Sequence, residues 1–357
     1  MSALGTTGWA LGAVGAAVVA LLAGRLRVTV RRYAVATGLT DVPNTRSSHL
    51  VPTPRGGGLA IVAAFLGATI ALAATGVVAW RDAAALAIGG AAVALAGYLD
   101  DRRGVSARVR FAVHAAAAVS ALALLGGPPS LASAGLAWVR GPVGWIAATV
   151  AAVWLVNLYN FMDGIDGIAA GEAASVGAGA AAVAGLLGAS AGAVLWPMLL
   201  AAAALGYLWG NRGRGRIFLG DVGSGFLGWC MAALLLWSAR VTPALFWPYV
   251  ILLGVFMVDA TLTLLRRLMR GERVTQPHRS HAYQRAARRV GRHAPVSAGA
   301  ALLTLAWLFP LAVTAARRPA LGAAVFAVAA APLVLLWLVF GGGTPDEPTP
   351  VAPPAFP

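Results

Sequence analysis

The sequence contains little charge, few acidic residues and almost no cysteine. Only 11% of its 357 residues are charged, whereas a soluble domain averages about 25%. The formal net charge is +15 because 27 basic residues, all of them arginine, outnumber 12 acidic ones. The single cysteine, Cys230, lies in an apolar run, which excludes a disulfide framework and a thiolate metal site. No basic stretch precedes the first apolar run, so a retained span is favoured over a cleaved signal peptide.

Apolar residues make up 59% of the chain, and the mean hydropathy is +0.79. Crossing about 30 Å of hydrocarbon takes roughly 20 mainly apolar residues. We therefore predict an all-α integral membrane protein with about eleven transmembrane helices and an active site in its cytoplasmic loops. The predicted spans lie near residues 7–24, 58–80, 83–99, 111–127, 143–160, 168–187, 191–209, 222–239, 246–265, 296–316 and 319–340.

The arginines predict the orientation of the bundle. With the N-terminus outside, the loops that join an odd-numbered span to the next even-numbered span lie on the inner side and contain 22 arginines. The loops on the outer side contain 5. Cytoplasmic loops are enriched in basic residues, so the first set is predicted to face the cytoplasm. A nucleic-acid binder would need a soluble surface for such charge, so no nucleic-acid partner is expected. Residues 1–340 are predicted to form one polytopic domain, and the proline-rich residues 341–357 a disordered tail.

Five clusters of polar residues lie in the predicted cytoplasmic loops or at the adjoining helix ends. The first runs from Asp41 to Gly58 and contains Arg46, His49 and Arg55 before three consecutive glycines. Arginine offers planar donors that suit phosphate, and glycine allows a close approach of the backbone. An ordinary basic loop before a helix explains the same residues equally well.

The second cluster is the adjacent pair Asp100 and Asp101 at the end of the third span. Two neighbouring carboxylates repel each other, which favours a bound cation, or a role for one of them as a base. The alternative is a solvated pair neutralised by Arg102 and Arg103.

The third cluster comprises Asn157, Asn160, Asp163 and Asp166, which follow one another at three-residue steps where the fifth span ends. This spacing predicts that the amides and acids project into one cavity. Unpaired acids and amides are costly at the edge of a membrane, which disfavours a purely structural role.

The fourth and fifth clusters lie later in the chain. Asp221 stands between glycines before the eighth span, where it suits either a helix N-cap or a Mg²⁺ ligand. His278, Arg279 and His281 lie in the most basic loop and suit a pyrophosphate. Zinc is disfavoured there because no further ligands complete a tetrahedral set. The alternative is a basic loop held near anionic lipid headgroups.

One acid differs from these clusters because it lies within an apolar run. A charge at the position of Asp259 is costly in lipid, so its side chain is expected to face the bundle or a polar cleft. An arginine on the cytoplasmic side, such as Arg266, is the expected partner.

Acids, arginines and glycine-rich backbone on one membrane face are typical of phosphoryl transfer with a metal ion. A transporter or flippase of an anionic lipid-linked substrate would place its ionisable groups nearer the midplane. A non-catalytic scaffold would have little use for so many acids.

The segments GYLDD, NLYNFMDGIDGIA and FLGDVGS resemble those of the polyprenyl-phosphate N-acetylhexosamine-1-phosphate transferases. The similarity extends from about Asp41 to Arg285 and keeps the order of the family's motifs. It implies a bacterial inner-membrane enzyme that transfers a HexNAc-1-phosphate from a UDP-sugar to undecaprenyl phosphate and releases UMP, with O-antigen or other cell-envelope glycans as the product pathway. Mg²⁺, for which Mn²⁺ can substitute, is the implied cofactor, and a homodimer is left open.

The resemblance also assigns roles to the clusters. Asp221 would be the main metal ligand, with Asn160 beside it, and Asp100, Asp101, Asp163 and Asp166 would form the catalytic acids. The residues implied to bind substrate are Arg46, His49, Arg55, Asn157, Asn160, His278, Arg279 and His281.

The last loop bears on which sugar is transferred. Phospho-MurNAc-pentapeptide translocases carry adjacent histidines there, whereas this chain has His278 and His281 separated by two residues. The departure favours GlcNAc or a 6-deoxy-HexNAc such as FucNAc or QuiNAc over a pentapeptide-bearing sugar, which remains the alternative substrate. A second departure is Gly104, where many members carry a charged residue.

Overall fold

The computed structural model describes residues 5–41, 51–211, 216–273 and 278–345, and no statement below concerns the others. Within these ranges the chain is almost entirely helical, and its only strands are the short antiparallel pair β1 (Thr40–Asp41) and β2 (Thr53–Pro54). The helices are α1 Thr6–Ala36, α2 Leu59–Ala74, α3 Trp80–Arg103, α4 Ala107–Leu125, α5 Gly141–Met162, α6 Ile168–Leu186, α7 Ala191–Gly210, α8 Asp221–Val241, α9 Phe246–Leu252, α10 Gly254–Met269, α11 Ala282–Val290, α12 His293–Leu302, α13 Phe309–Arg317 and α14 Gly322–Val339.

Among the described residues, nine helices are long and apolar enough to cross a membrane. One of them runs through α12 and α13 over His293–Arg317, because a π-helical turn at Leu303–Leu308 joins the two. The prediction of an all-α, multi-pass membrane protein is confirmed. A bent pair of helices and the 16-residue α2 account for the remaining predicted spans, so the count of about eleven stays a prediction.

The predicted span 246–265 is not one straight helix. It is broken between α9 and α10, whose axes differ by 65°. The break places Asp259 on the second, separately directed helix, α10.

Helix α8 lies at the centre of the bundle, where its 18-residue apolar segment is completely buried by other helices. Small residues allow its neighbours to approach its backbone, as is usual for helices packed in lipid. A Cβ atom at Gly97 of α3 would collide with the backbone of Asp221, and one at Gly228 of α8 would lie 2.6 Å from the carbonyl oxygen of Leu155 in α5. Glycine at position 97 therefore brings the end of α3 directly against the beginning of α8.

A polar contact fixes the opposite ends of the same two helices. The buried indole of Trp237 donates a hydrogen bond to the Asp82 carboxylate in the first turn of α3, over 2.9 Å. Buried indole N–H groups need such a partner. Together with the contact at Gly97, this bond sets the register of α3 along α8.

The chain after α14 lies against two neighbouring helices. Side chains of Arg266 in α10 and Arg285 in α11 donate hydrogen bonds to the carbonyls of Gly342 and Pro345, and the disorder of the tail as a whole stays a prediction. Arginine donors from the two helices reach the carbonyl groups that the end of α14 leaves unpaired. The remainder of the predicted tail, 346–357, lies outside the described residues.

Candidate active site

Asp101 caps the N-terminus of α8 from a different helix. Its carboxylate accepts hydrogen bonds from the backbone N–H groups of Asp221, over 3.0 Å, and Val222, over 3.2 Å. An Arg55 guanidinium nitrogen lies 2.5 Å from the same carboxylate, whose side chain has 0% exposure. A negative charge is favourable at a helix N-terminus because the first N–H groups have no partner within the helix. Asp101 therefore anchors the start of α8 and does not face solvent.

The glycine run 56–58 also packs against this helix start. The N–H groups of Gly57 and Gly58 donate to the carbonyls of Phe218 and Leu219, each over 2.8 Å. A Cβ atom at Gly58 would collide with the backbone of Gly223. These two N–H groups therefore hold the segment before α8, and are not free to bind the phosphate that the sequence suggested.

Arg110 joins two of the predicted site acids, Asp100 and Asp221. One of its guanidinium nitrogens forms an ion pair with Asp100 and lies 3.5 Å from Asp221. Asp100 also accepts a hydrogen bond from the N–H of Val105 over 2.6 Å. Arg110 lies in the first turn of α4. In the sequence it is one of several arginines between the third and fourth spans, and nothing near it in the chain indicates that it contacts these acids.

The Asp221 carboxylate is the exposed centre of the cluster, with 28% of its side chain accessible. The amide of Asn160 donates to Asp221 over 3.0 Å and to the hydroxyl of Ser224 over 3.2 Å. Asn160 and Asp221 therefore lie side by side, although 61 positions separate them in the chain. Asn157 is directed elsewhere, since its amide donates to the Val153 carbonyl one turn earlier in α5.

Asp163 lies just after α5 and is half-buried among the other acids. Removal from water, followed by the neighbouring carboxylates of Asp221 and Asp101, raises the pKa of its carboxyl well above the ordinary value. Unlike Asp100, Asp101 and Asp221, it has no hydrogen-bond or ion-pair partner within the described part of the chain.

This placement of Asp163 predicts a pH-dependent change in stability. The folded protein holds the Asp163 proton more tightly than the unfolded chain, so ionisation costs stability as pH rises above about 4. Without divalent cations, Asp163→Asn should therefore melt at a higher temperature than the parent protein at pH 7. Below about pH 4 the two should melt together. Equal melting temperatures at pH 7, by thermal unfolding in detergent with chelator, would contradict the raised pKa.

Asp166 is held by two basic residues that the sequence analysis did not single out. The Arg216 guanidinium lies 2.5 Å from its carboxylate, and Nδ1 of His293 lies 3.0 Å from the same oxygen. Arg216 precedes α8 and His293 begins α12, so three distant segments meet at Asp166. The hydroxyl of Ser297 donates to the Asp166 carbonyl over 2.8 Å. A basic residue at the start of a span was the only sequence signal for His293.

Asp259 does not pair with Arg266, which corrects the expectation from sequence. Its carboxylate accepts hydrogen bonds from the N–H groups of Ala282, over 3.0 Å, and Tyr283, over 2.9 Å, and lies 3.3 Å from Nδ1 of His281. Arg266 instead stacks on Trp337, at 5.4 Å from the ring centroid. The start of α11 offers two backbone donors that no helical carbonyl can satisfy, so it outcompetes the arginine for Asp259. The expectation that Asp259 faces the bundle is confirmed, since it is buried.

The predicted histidines lie on the loop that leads into α11. His281 is buried beside Asp259, whereas His278 is half-buried, with Nδ1 at 2.9 Å from the Ser280 hydroxyl. Burial, followed by the nearby charges of His281 and Arg267, lowers the pKa of His278 to about 3, so this imidazole is neutral at pH 7. A neutral imidazole binds a phosphate or sugar by hydrogen bonding and not as a cation.

Tyr283 attaches this loop to the acid cluster. Its hydroxyl donates to the carbonyl of Phe161 over 3.0 Å, and a Cβ atom at Gly164 would collide with that hydroxyl. The loop therefore lies next to the turn that contains Asp163. Arg279 is half-buried on the same loop, where its carbonyl accepts a hydrogen bond from Arg288. Arg46 and His49, the remaining predicted substrate contacts, lie outside the described residues.

The described part of the cluster contains more acids than arginines. Five acids meet three guanidinium groups there; the acids are Asp100, Asp101, Asp163, Asp166 and Asp221, and the arginines are Arg55, Arg110 and Arg216. Among the described residues, no three acidic, histidine or cysteine side chains form a ready-made metal-binding group. Mg²⁺ is commonly held by one or two carboxylates together with water and substrate phosphates, which needs no such group.

Comparisons with known proteins agree with this geometry. A model of glycosyl transferase family 4 matches residues 83–239, which contain Asp100, Asp101, Asp163, Asp166 and Asp221. The chain is 31% identical over 261 residues to a protein of Bacillus subtilis, the "probable undecaprenyl-phosphate N-acetylglucosaminyl 1-phosphate transferase", with 72% of each chain covered.

Two further relatives come from other bacteria. A "decaprenyl-phosphate N-acetylglucosaminephosphotransferase" of Mycobacterium tuberculosis is 31% identical over 295 residues, covering 72% of this chain and 70% of its own. An "undecaprenyl-phosphate alpha-N-acetylglucosaminyl 1-phosphate transferase" of Escherichia coli K12 is 29% identical over 265 residues, covering 71% and 70%. The matched motifs, the extent of the similarity and the assembled acid cluster lead to one assignment: the chain belongs to glycosyl transferase family 4.

Proposed function

We propose that this protein transfers N-acetylhexosamine-1-phosphate from a UDP-sugar to undecaprenyl phosphate or a similar polyprenyl phosphate. An oxygen of the lipid phosphate attacks the phosphorus that bears the sugar. A new phosphorus–oxygen bond forms, the bond to the other phosphate of the diphosphate breaks, and UMP leaves. The relatives' names specify N-acetylglucosaminyl transfer, which favours GlcNAc over the 6-deoxy sugars as the transferred group.

The observation that carries this proposal is the meeting of Asp100, Asp163 and Asp221 at the ends of α3, α5 and α8. Each acid lies at the beginning, in the last turn or just after the end of an apolar helix, so the cluster lies where lipid and aqueous substrates can both reach it. Arg110 adds a positive charge beside Asp100 and Asp221. Separate acids and guanidinium groups at one boundary suit a reaction between two phosphates.

The surplus of acids over arginines among the described residues supports Mg²⁺ as the cofactor. Asp221 is the acid best placed to hold it, because its side chain, with two carboxylate oxygens, is partly exposed. Asn160 directs its amide nitrogen at Asp221, so a flip of this amide would turn a third hard oxygen toward the ion. When bound, the ion would neutralise charge on the diphosphate and polarise it toward attack.

The protein's own residues then divide the remaining tasks. Asp163 accepts the proton of the lipid phosphate, because its raised pKa makes it a better base than an ordinary carboxylate. Arg110 is placed to bind a phosphate oxygen of a substrate. This oxygen would compete with the carboxylates of Asp100 and Asp221 for the Arg110 guanidinium. His278 is placed to donate or accept a hydrogen bond at the sugar as a neutral imidazole. Asp101 and Asp259 position α8 and α11 from behind the site.

The reaction requires that the nucleotide sugar reach the cluster from the cytoplasm. The arginine bias of 22 against 5 supports a cytoplasmic site and an outside N-terminus in a bacterial inner membrane. No specific observation favours transport, since the acids with solvent access lie at helix ends and not at mid-span.

A direct test uses purified protein, undecaprenyl phosphate and a panel of UDP-sugars, with UMP release as the readout. UMP should appear with UDP-GlcNAc only when Mg²⁺ or Mn²⁺ is present. UDP-MurNAc-pentapeptide should be inert, because the last loop lacks adjacent histidines. Use of the pentapeptide donor would overturn the interpretation of that loop. Movement of a lipid-linked substrate across proteoliposomes, with no UMP released from any donor, would replace the proposal with transport.

A further inference from the structure

The chain beyond α14 turns back across the cytoplasmic ends of α10 and α11. We name residues Gly341–Pro345 the C-terminal clasp. Gly341 and Gly343 have φ angles of +68° and +70°, a conformation that glycine adopts without strain. A Cβ atom at Gly342 would collide with the indole of Trp337. Three consecutive glycines are therefore what allows the turn to lie flat against its neighbours.

Arginines from two helices hold the clasp and the end of α14. Arg266 of α10 and Arg270, the residue that follows this helix, donate to the carbonyls of Gly342 and Gly343. Arg285 of α11 donates to the carbonyls of Phe340, over 3.0 Å, and Pro345, over 3.4 Å, and Arg289 donates to that of Val339 over 3.0 Å. The guanidinium groups of Arg266 and Arg289 also stack over Trp337 and Phe340. An ordinary helix end is capped locally, by its own backbone or by solvent, and does not need four arginines from elsewhere.

The clasp also contacts residues 278–281, the histidine-containing end of the loop that leads into α11. The N–H of Gly343 donates to the carbonyl of Ser280 over 2.7 Å. The hydroxyl of Ser280 lies 2.9 Å from Nδ1 of His278. Ser280 is buried, so this carbonyl and hydroxyl cannot exchange their partners for water without a movement of the loop.

We propose that the C-terminal clasp is a positioning element for the active site. It fixes Ser280, and through Ser280 it sets the direction of the His278 imidazole toward the donor sugar. Asp259 holds the residues that directly follow Ser280, at the start of α11. Residues 280–283 are therefore held by two separate elements, an acid of α10 and the backbone after α14. The part of this inference that concerns the sugar rests on the proposed function, whereas the ordering of the loop does not.

Two truncations test the clasp. One chain ends after Phe340 and lacks the clasp, and the other ends after Pro345 and keeps it. In the first, hydrogen exchange of the amides of residues 280–284 should accelerate at least about tenfold, because their anchor is lost. Exchange within α8 should not change. The second chain should behave as the full chain does. Equal protection of residues 280–284 in the two truncations would overturn the proposal.

A point substitution separates the clasp from a general effect of removing residues. In Gly343→Ala, the added Cβ atom would lie 3.1 Å from side-chain carbons of Arg266, and φ is positive. Gly188→Ala is the matched control, because φ is +61° and no heavy atom lies within 4 Å of the added carbon. Both variants carry the backbone strain of a positive φ, but only the first should raise exchange in residues 280–284.

Kinetics provides the second readout. Gly343→Ala should raise KM for UDP-GlcNAc about tenfold and change kcat less, as expected for a misplaced binding group. An equal fall in kcat for Gly343→Ala and Gly188→Ala would mean that strain, and not positioning, is responsible. If the parent protein releases no UMP, the proposed function fails, while the exchange measurements still decide whether the clasp orders the loop.

Discussion

Asp221→Asn is expected to lower UMP release at least about a hundredfold, the scale of a lost charge contact in a transition state. The substitution keeps the shape of the side chain but removes the charge that faces Arg110 and solvent. Asn160 still finds an oxygen acceptor at position 221, so the packing at the start of α8 is retained. Folding and activity should therefore separate in this variant.

The measurements are UMP release, Mn²⁺ binding and thermal unfolding of the same detergent-purified samples. Mn²⁺ binding should weaken even when no substrate is present, which makes the metal assignment independent of turnover. Asp82→Asn is the matched control, because Asp82 lies at the opposite end of α3 and accepts a hydrogen bond from Trp237. The control should retain activity and Mn²⁺ affinity. Full activity of Asp221→Asn would remove Asp221 from the proposed metal site.

The helical architecture could be predicted because a span is a local property of the sequence. Runs of about 20 apolar residues must be helical in lipid, where each backbone polar group needs an internal partner. The helices α3, α5 and α8 accordingly lie where the hydropathy placed them. The bend between α9 and α10 was not predicted, since both helices are apolar and a proline also lies inside the unbroken helix α7. Pro248 and Gly254 near the break are therefore not a specific signal.

The roles of individual acids were harder to predict than their location. Asp101 and Asp259 were identified as unusual acids, and each proves to cap a helix that begins more than twenty residues away. A cap from a neighbouring residue leaves a local pattern, whereas a cap supplied across the bundle does not. The expected ion pair between Asp259 and Arg266 was wrong for this reason.

The basic residues that pair with Asp100 and Asp166 were not predicted from the sequence, for a related reason. Arg110, Arg216 and His293 were indistinguishable from the other charges of their loops. Only the packing of α4, α8 and α12 brings them to Asp100 and Asp166. The sequence therefore predicted which acids lie near one another, and the fold decides which of those acids retain access to solvent. The side chain of Asp101 has none, whereas those of Asp163 and Asp221 keep part of it.

This division between anchoring and reacting acids leads to the largest expected change in stability. In Asp101→Ala, two N–H groups at the start of α8 lose their acceptor, and Arg55 loses its closest carboxylate. A buried donor left without an acceptor costs about 1–3 kcal/mol, so the two N–H groups account for most of the loss. Arg55 adds less, because its side chain is 28% exposed and the Asp221 carboxylate lies 3.9 Å away. Thermal unfolding should therefore occur at a distinctly lower temperature, and UMP release should fall with the folded fraction.

Asp163→Asn is the matched comparison, because this acid belongs to the same cluster but has no partner among the described residues. It should unfold at or above the temperature of the parent protein and still lose UMP release, since an amide cannot accept the proton of the lipid phosphate. Both variants should therefore release less UMP, but for different reasons. Asp101→Ala should melt at a lower temperature than the parent, whereas Asp163→Asn should melt at the same or a higher temperature. If Asp101→Ala melts like the parent, its carboxylate does not anchor α8. If Asp163→Asn retains full activity, the proton acceptor lies elsewhere in the cluster, with Asp166, whose side chain is 32% exposed, as the next carboxylate that solvent can reach.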